Sequence, residues 1–391
     1  MFEFKHKLAV STWDHEEMSA IEAVIKSGNF TMGARVSEAE KIVADFHQVN
    51  HSVMVNSGSS ANLLMVAALF FRKNSPLKRG DEVIVPAVSW STTYFPLAQY
   101  GLRVKFVDID RLSLNFDLDK LRGAVNDRTK VILSVNLLGN PNDFSSIQSI
   151  IGDRDIVLLE DNCESLGAEY AGRKTGTFGL MASLSTYFSH HVSTMEGGFV
   201  LTSDDELHHI MLSMRSHGWT RHLPKVNHVT GIKSDDEFHE SFKFVLPGYN
   251  LRPLEFSGAT AVTQFRKLGE FLKKRRENAL RFQHAIRNID WVDSQKEIGT
   301  SSWFGFSLVP KSGSGKSRDD LRRSLQSYGF ECRPIVAGNF ARNSVIKFID
   351  HSIHADLSGA DFVGDNGLFI ANDHSRGDDF FSDLRAALNI V

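Results

Sequence analysis

Short apolar runs alternate with helical stretches through the first two-thirds of the chain, and that rhythm leaves few folds open. Strand candidates fall at 53–55, 82–86, 103–108, 130–135, 155–160, 183–187 and 198–202. Helical intervals lie between them at 59–71, 92–100, 118–125 and 144–150. Such alternation argues for a mostly parallel sheet with helices on both faces, an α/β architecture. Ligands of open α/β sheets sit beyond the carboxyl ends of the strands. Ser57, Trp90, Asp161 and the segment around His190 all fall at such ends.

With 391 residues the chain is long enough for two units. The reading is a large α/β domain over residues 1–255, then a linking helix and a smaller α+β domain over 256–391. The stretch 224–244 is polar and irregular, a long loop or a pair of short strands. From 256 to about 289 the residues Val262, Phe265, Leu268, Phe271, Leu272, Leu280, Phe282 and Ile286 form one amphipathic stripe. Arg266, Lys267, Lys273, Lys274, Arg275 and Arg276 occupy the surface that the stripe leaves free, and read as a solvated helix face. The run Lys311-Ser312-Gly313-Ser314-Gly315-Lys316-Ser317 ends like a phosphate loop. Pro310 stands where that pattern needs its first glycine and no apolar helix is evident after it, so a flexible turn is expected.

Composition excludes several classes. A net charge of -3 gives no reason to expect nucleic acid or an anionic membrane as partner. The longest apolar run, 63–71, is far short of the ~20 residues that span a bilayer. The first residues are charged and lack an apolar signal region. Cys163 and Cys332 are the only cysteines, too few for a disulfide framework or a four-thiolate metal or iron–sulfur site. A cytoplasmic protein without a metal is expected.

Four places could carry chemistry. Asn56-Ser57-Gly58-Ser59-Ser60-Ala61-Asn62 follows an apolar strand and opens an apolar helix. Small residues there let a helix amino terminus approach an anion, although an ordinary cap on Ser59 or Ser60 would look alike. Ser185 could add a hydroxyl to the same anion. Trp90, just past a strand end, suits stacking on a flat ring, or equally a core or interface. Asp161 closes the apolar strand Ile156-Val157-Leu158-Leu159-Glu160 and could pair with a protonated ring nitrogen or merely cap a loop. Glu164, three residues on, could reach the same ring or cap the turn. Ser189-His190-His191 precedes Glu196-Gly197-Gly198, and no lysine lies between Lys174 and Lys225. A neutral imidazole can take and return a proton near pH 7. Adjacent side chains diverge, so only one of His190 and His191 can face a given ligand.

Together these residues outline a pyridoxal phosphate (PLP) site in which a histidine stands where the cofactor's lysine should be. The chain resembles the DegT/DnrJ/EryC1 sugar aminotransferase family of fold-type I PLP enzymes, nearly end to end, from the 56–62 loop to Glu331-Cys332-Arg333-Pro334-Ile335. In that family the lysine stands six residues before the Glu of a Glu-Gly-Gly, and counting back from Glu196 lands on His190. The swap resembles the 3-dehydratases of 3,6-dideoxysugar synthesis. Pro86-Ala87-Val88-Ser89-Trp90, Ser189-His190-His191 and Arg333-Pro334-Ile335-Val336-Ala337-Gly338-Asn339-Phe340 look most like the branch acting on GDP-4-keto-6-deoxy-D-mannose. A related branch carries an iron–sulfur cluster, for which the cysteines are too few.

The resemblance implies an aspartate-aminotransferase-like fold and a division of labour. Ser57, Gly58, Ser59 and Ser185 would hold the cofactor phosphate, Trp90 would stack on its ring, and Asp161 would pair with the ring nitrogen. Glu164 would lie near the ring hydroxyl, and Asn250 would reach the phosphate across a homodimer with shared active sites. Glu331 and Arg333 would line the site from the small domain. His217, with the 219–222 loop, would contact substrate. The family often has histidine where Asn136 stands and glutamine where Glu164 stands. His190 would be the base in a 3-dehydration by the aminated cofactor (PMP), with glutamate restoring the amine and ammonia released. A nucleotide-sugar aminotransferase and a non-catalytic PLP-binding protein are the alternatives.

Overall fold

The computed structural model describes residues 4–391. Two helices, α1 (His15–Ser27) and α2 (Ala34–His47), precede the alternating region. That region runs β1 (His51–Val55), α3 (Gly58–Leu69), β2 (Glu82–Pro86), α4 (Ser91–Gln99), β3 (Arg103–Val107), α5 (Leu118–Ala124), β4 (Thr129–Val135), α6 (Phe144–Ile151) and β5 (Val157–Asp161). A small hairpin, β6 (Glu169–Tyr170) with β7 (Arg173–Lys174), leads to β8 (Met181–Ser185), β9 (Gly198–Thr202) and α7 (Asp205–Arg215). The polar stretch holds a second hairpin, β10 (Val226–Asn227) with β11 (Gly231–Ile232), and α8 (Glu237–Ser241). The long helix is α9 (Glu255–Ile286). After it come β12 (Val292–Asp293), β13 (Gly305–Pro310), α10 (Arg318–Ser327), β14 (His351–Ile353), α11 (Ser358–Asn366), β15 (Leu368–Ala371) and α12 (Asp378–Ile390).

Eight strands form one sheet in the order β1-β9-β8-β5-β4-β2-β3-β14. Only β9 runs against its neighbours; the pairs from β8 through to β14 are parallel. Both faces are covered because strand side chains alternate. Val83 and Val85 pack into the core shared with α3, α4 and α7, while Ile84 points into the core shared with α5 and α6. Farther along, Met54, Leu184, Phe199 and Leu201 meet α2 and the first half of α9. The carboxyl ends of β1, β2, β4, β5 and β8 therefore open on one side, and the site lies there.

A second core belongs to the C-terminal unit, where β12, β13 and β15 form a three-stranded sheet against α10, α12 and the end of α9. Two stretches cross the 255/256 line. His6 pairs with Phe330 and packs on Phe380, so this N-terminal residue lies on the C-terminal unit. In the other direction, β14 returns to the edge of the large sheet beside β3.

Three expectations are corrected. The basic run of α9 is not uniformly solvated. Lys273 and Lys274 are exposed, but Lys267 pairs with Glu17 and Asp14, Arg276 bonds the carbonyls of Ser301 and Gly167, and Arg275 is buried. The 311–317 stretch is a turn, yet α10 follows it directly, capped by Ser317 and burying Leu321 and Leu325. The cap of α3 is Ser57, whose Oγ accepts from Ser60 N at 3.1 Å, rather than Ser59 or Ser60.

Candidate active site

Glu160 and Asp161 end β5 with side chains on opposite faces. Glu160 faces inward, accepting from the backbone N–H groups of Gly176, Phe178 and Gly179 at 2.7, 2.6 and 2.8 Å. It pins the Gly176-Thr177-Phe178-Gly179 turn, and its burial pushes its carboxyl above the usual range. Asn136 also bonds Glu160, at 3.2 Å, within a buried amide network with Asn142 and Asn162. Asp161 faces a cavity of about 450 Å³. Its Oδ2 accepts from Asn62 Nδ2 (2.9 Å) and Thr93 Oγ1 (2.7 Å), and its Oδ1 from Cys163 N (3.2 Å) and Ser183 Oγ (3.4 Å). Every one of these donors is neutral, so the buried Asp161 carboxyl at the cavity floor has no cation among them, and a cationic ring N–H is a partner that would suit it.

Ser57, Gly58 and Ser59 line the same cavity at the amino end of α3, where the first amides of a helix have no intrahelical partner. The packing there permits no larger residue. A Cβ on Gly58 would sit 2.6 Å from Ser185 Cβ, and one on Gly198 2.6 Å from the backbone of Ser57 and Gly58. That close approach sets the Ser185 hydroxyl beside the helix start, making a cradle suited to an oxyanion. Trp90 caps α4 over the cavity with 56% of its surface exposed.

His190 hangs from a hairpin over residues 186–197, held by Thr186 N to Gly197 O and Thr194 N to Thr186 O, both 2.9 Å. Its ring meets Tyr187 edge-on and lies 5.1 Å from Phe304 between centroids. Its Nδ1 is buried without a hydrogen-bond partner among the described residues. Burial, then the charges of Arg333 and Arg275, bring its pKa down to about 3, so the imidazole is neutral. His191 is turned away: it is 1% exposed, with Nε2 3.2 Å from Ser302 O. Of the two, His190 is the one that lines the cavity. No lysine is among the residues lining the cavity.

Glu164 lines the far wall, where its Oε2 accepts from Leu138 N at 3.0 Å. Burial pushes its carboxyl up, with Arg333 opposing. Arg333 comes from the C-terminal unit, held by backbone bonds with Phe369 and with its guanidinium 4.6 Å from that ring's centroid. The structure therefore brings together Ser57, Gly58, Ser59, Trp90, Asp161, Glu164, Ser185, His190 and Arg333.

Three of the expected residues lie elsewhere in this chain. Glu331 accepts from Leu8 N at 2.8 Å and ties down the N-terminal segment. Exposed Asn250 accepts from Arg252 Nε at 3.0 Å, and His217 stacks edge-on against Trp219. Asn62, Thr93, Ser183, Tyr187, Ser189 and Phe304 were not singled out from sequence. Asn62 lies inside the 56–62 motif and Thr93 inside the 92–100 helical interval, but only the folded chain shows them converging on Asp161. Among the described residues, no group of three or more His, Cys, Asp or Glu is placed to hold a metal ion, and no helix is long and apolar enough to cross a membrane.

The profile of the DegT/DnrJ/EryC1/StrS aminotransferase family matches residues 11–360. The chain belongs to this family. Within it, the chain is 56% identical over 366 residues to GDP-4-keto-6-deoxy-D-mannose 3-dehydratase of Yersinia pseudotuberculosis, covering 93% of each chain. The Escherichia coli enzyme of that name, solved with bound hydrated PLP, superposes with a TM-score of 0.98 at 55% identity, over 99% of this chain and all of the other. A GDP-4-keto-6-deoxymannose-3-dehydratase structure with a trapped PLP-glutamate geminal diamine gives a TM-score of 0.97 at 55% identity, over 98% of this chain and all of that one. The fold is thus the aminotransferase-like fold of this PLP family.

Proposed function

We propose that this chain is a PLP-dependent nucleotide-sugar 3-dehydratase that converts GDP-4-keto-6-deoxy-D-mannose to GDP-4-keto-3,6-dideoxymannose, with glutamate as amino donor and ammonia released. The observation that carries the reading is His190 facing a cavity that no lysine lines. Bound as PMP, the cofactor supplies an amine for the 4-keto group and an electron sink that lets the neighbouring 3-hydroxyl depart.

The protein's own groups do the rest. The amino end of α3 and Ser185 hold the phosphate. Asp161, fixed by four donors, keeps the ring nitrogen protonated, and Trp90 covers one ring face. His190, neutral and without a hydrogen-bond partner at Nδ1, takes a proton from the carbon beside the transferred amine and returns it in the glutamate half-reaction. A lysine there would compete for the cofactor and release an amino sugar; an imidazole forms no such link. Glu164 and Arg333 bound the sugar side. Half-buried His217 and exposed Asn250, at the two ends of the 217–250 segment, serve the active site of a second copy in a homodimer. Free Cys163 and Cys332 fit a cytoplasmic location.

The test is a product assay with GDP-4-keto-6-deoxymannose, PLP and glutamate. A 3-deoxy sugar with one ammonia per turnover supports the reading; an amino sugar, or no 2-oxoglutarate from glutamate, overturns it.

A further inference from the structure

Ser193 follows His190 by three residues on the hairpin, and both of its backbone groups are held by side chains from distant parts of the chain. Its N–H donates to Gln264 Oε1 at 3.0 Å, and its carbonyl accepts from Trp13 Nε1 at 2.9 Å. Gln264 comes from α9 and is fully buried. Its Oε1 also accepts from Thr12 Oγ1 at 2.6 Å, while its Nε2 donates to Thr12 O at 3.1 Å and to Glu17 Oε1 at 2.8 Å. A side-chain amide has two donors and two acceptor lone pairs, and here all are used. One side chain thus joins the N-terminal stretch, the long helix and the hairpin that carries the base. Glu17 is fixed in turn by Lys267 Nζ, 2.8 Å from each of its oxygens, and by Asp14 N at 2.8 Å.

The two legs of the hairpin differ. Tyr187 and Phe188, on the leg before His190, are exposed. On the leg after it, Val192 is buried in one core with Val262 and Phe265 of α9. Ser257, about two turns before Gln264 on the same helix, donates Oγ–H to Glu196 O at 3.2 Å. His190 stands where the loose leg meets the anchored one. Its Nδ1 has no partner, so no side chain steers the ring through that atom as the acid of a catalytic triad does. The imidazole is therefore placed by the backbone that carries it and by its ring contacts with Tyr187 and Phe304.

We propose that Gln264, together with Trp13, is a positioning residue for proton transfer by His190: the two hold Ser193 at both backbone groups, and so fix the turn from which the imidazole reaches the reacting carbon. The assignment rests on the function proposed above, in which His190 is the base. Loss of either bond frees the anchored leg to shift. A misplacement of about 1 Å at a reacting group costs on the order of 100-fold in rate. An amide that served the fold alone would change how much protein is native, and would leave the proton-transfer step of the native fraction untouched.

The test follows 2-oxoglutarate release from glutamate in single turnovers of the PLP-loaded protein, with hydrogen or deuterium at the glutamate Cα. Gln264→Met keeps the length of the side chain and removes its bonds. It should slow release about 100-fold and raise the deuterium isotope effect, with KM for the nucleotide sugar unchanged. Trp13→Phe, on a coil segment, removes the indole N–H and should act in the same direction by about 10-fold, the scale of one hydrogen bond, even if the methionine variant fails to fold. The isotope effect decides between the two roles because it does not depend on the fraction of protein that is native: a wild-type value in both variants overturns the proposal. Added to His190→Asn, Trp13→Phe should cost no further rate, since it acts through the imidazole; a full tenfold loss there overturns the proposal as well. Independently of turnover, hydrogen exchange read by mass spectrometry should show faster deuterium uptake over residues 186–197 in Trp13→Phe than in wild type. If wild-type protein releases no 2-oxoglutarate, the proposed function fails, and exchange still decides whether the hairpin is held this way: unchanged uptake overturns it.

Discussion

On the sheet side of the cavity the carboxylate and the helix cap are tied to the protein; on the opposite side an imidazole and a guanidinium nitrogen lack partners. Asp161 collects four donors, Ser57 caps α3, and Gly58 and Gly198 are packed to within 2.6 Å of where a Cβ would clash. Across from them, His190 Nδ1 and Arg333 Nε have no partner. The first wall is rigidly packed, leaves the free amides of α3 and Asn62 Oδ1 to meet a ligand, and suits a resident group whose position must not vary. The second is incomplete, and its orphaned atoms match groups that arrive and leave in each turnover. Substitutions on the two walls should therefore fail differently.

The largest effect should come from His190. His190→Asn should lower dehydration about 1,000-fold, the scale of a lost general base, with the cofactor still retained on dialysis. His190→Lys should give a borohydride-fixable bond to PLP, seen by intact mass, and suppress dehydration. Full activity in the Asn variant would break the contrast by making the second wall passive. Asp161→Asn comes next. It preserves shape but removes the buried charge, and should cost about 100-fold in rate, as removal of one preorganised electrostatic group does; unchanged rates would show that the ring nitrogen needs no anion. Gly198→Ala should destabilise by about 2 kcal/mol, because backbone rather than a pliable side chain blocks the new methyl. Denaturant midpoints with and without PLP would check it, the gap between them shrinking as the cradle is spread.

The smallest effect is on pH dependence, away from the cavity. Burial lowers the pKa of His47 to about 4. A folded value below the unfolded one means that the native state binds fewer protons, so this contribution is full above pH 6.5 and is lost as pH falls through 6.5 towards 4. The slope in that window should approach 1.4 kcal/mol per pH unit for this residue. Urea unfolding at pH 5 and 6 would measure it, and His47→Asn should flatten it.

Much of the sheet-side wall was legible in the sequence. Strand ends were read to within a residue or two, because continuous apolar runs closed by small or acidic residues are local signals. The cavity residues Ser57, Trp90, Asp161, Ser185 and His190 all sit at or a few residues past such ends. What escaped depends on long-range packing. Thr93 and Asn62 reach Asp161 from 68 and 99 residues away. Arg275 reads as part of a solvated stripe until the C-terminal unit folds over it. Helix α10, strongly amphipathic but almost wholly polar, hid behind a glycine- and serine-rich turn. Asn250 and His217 lie outside the lining of this chain's own cavity.

Three residues, His351–Ile353, finish the large sheet from nearly 250 positions downstream of β3. Without them the rim strand would present a bare row of amides and carbonyls, the sort of surface that recruits stray extended chain into aggregates. A fragment stopped after α9 would thus keep most of the nucleus and still be sticky, and the C-terminal unit acts as a stopper for the larger one as well as a lid over its pocket.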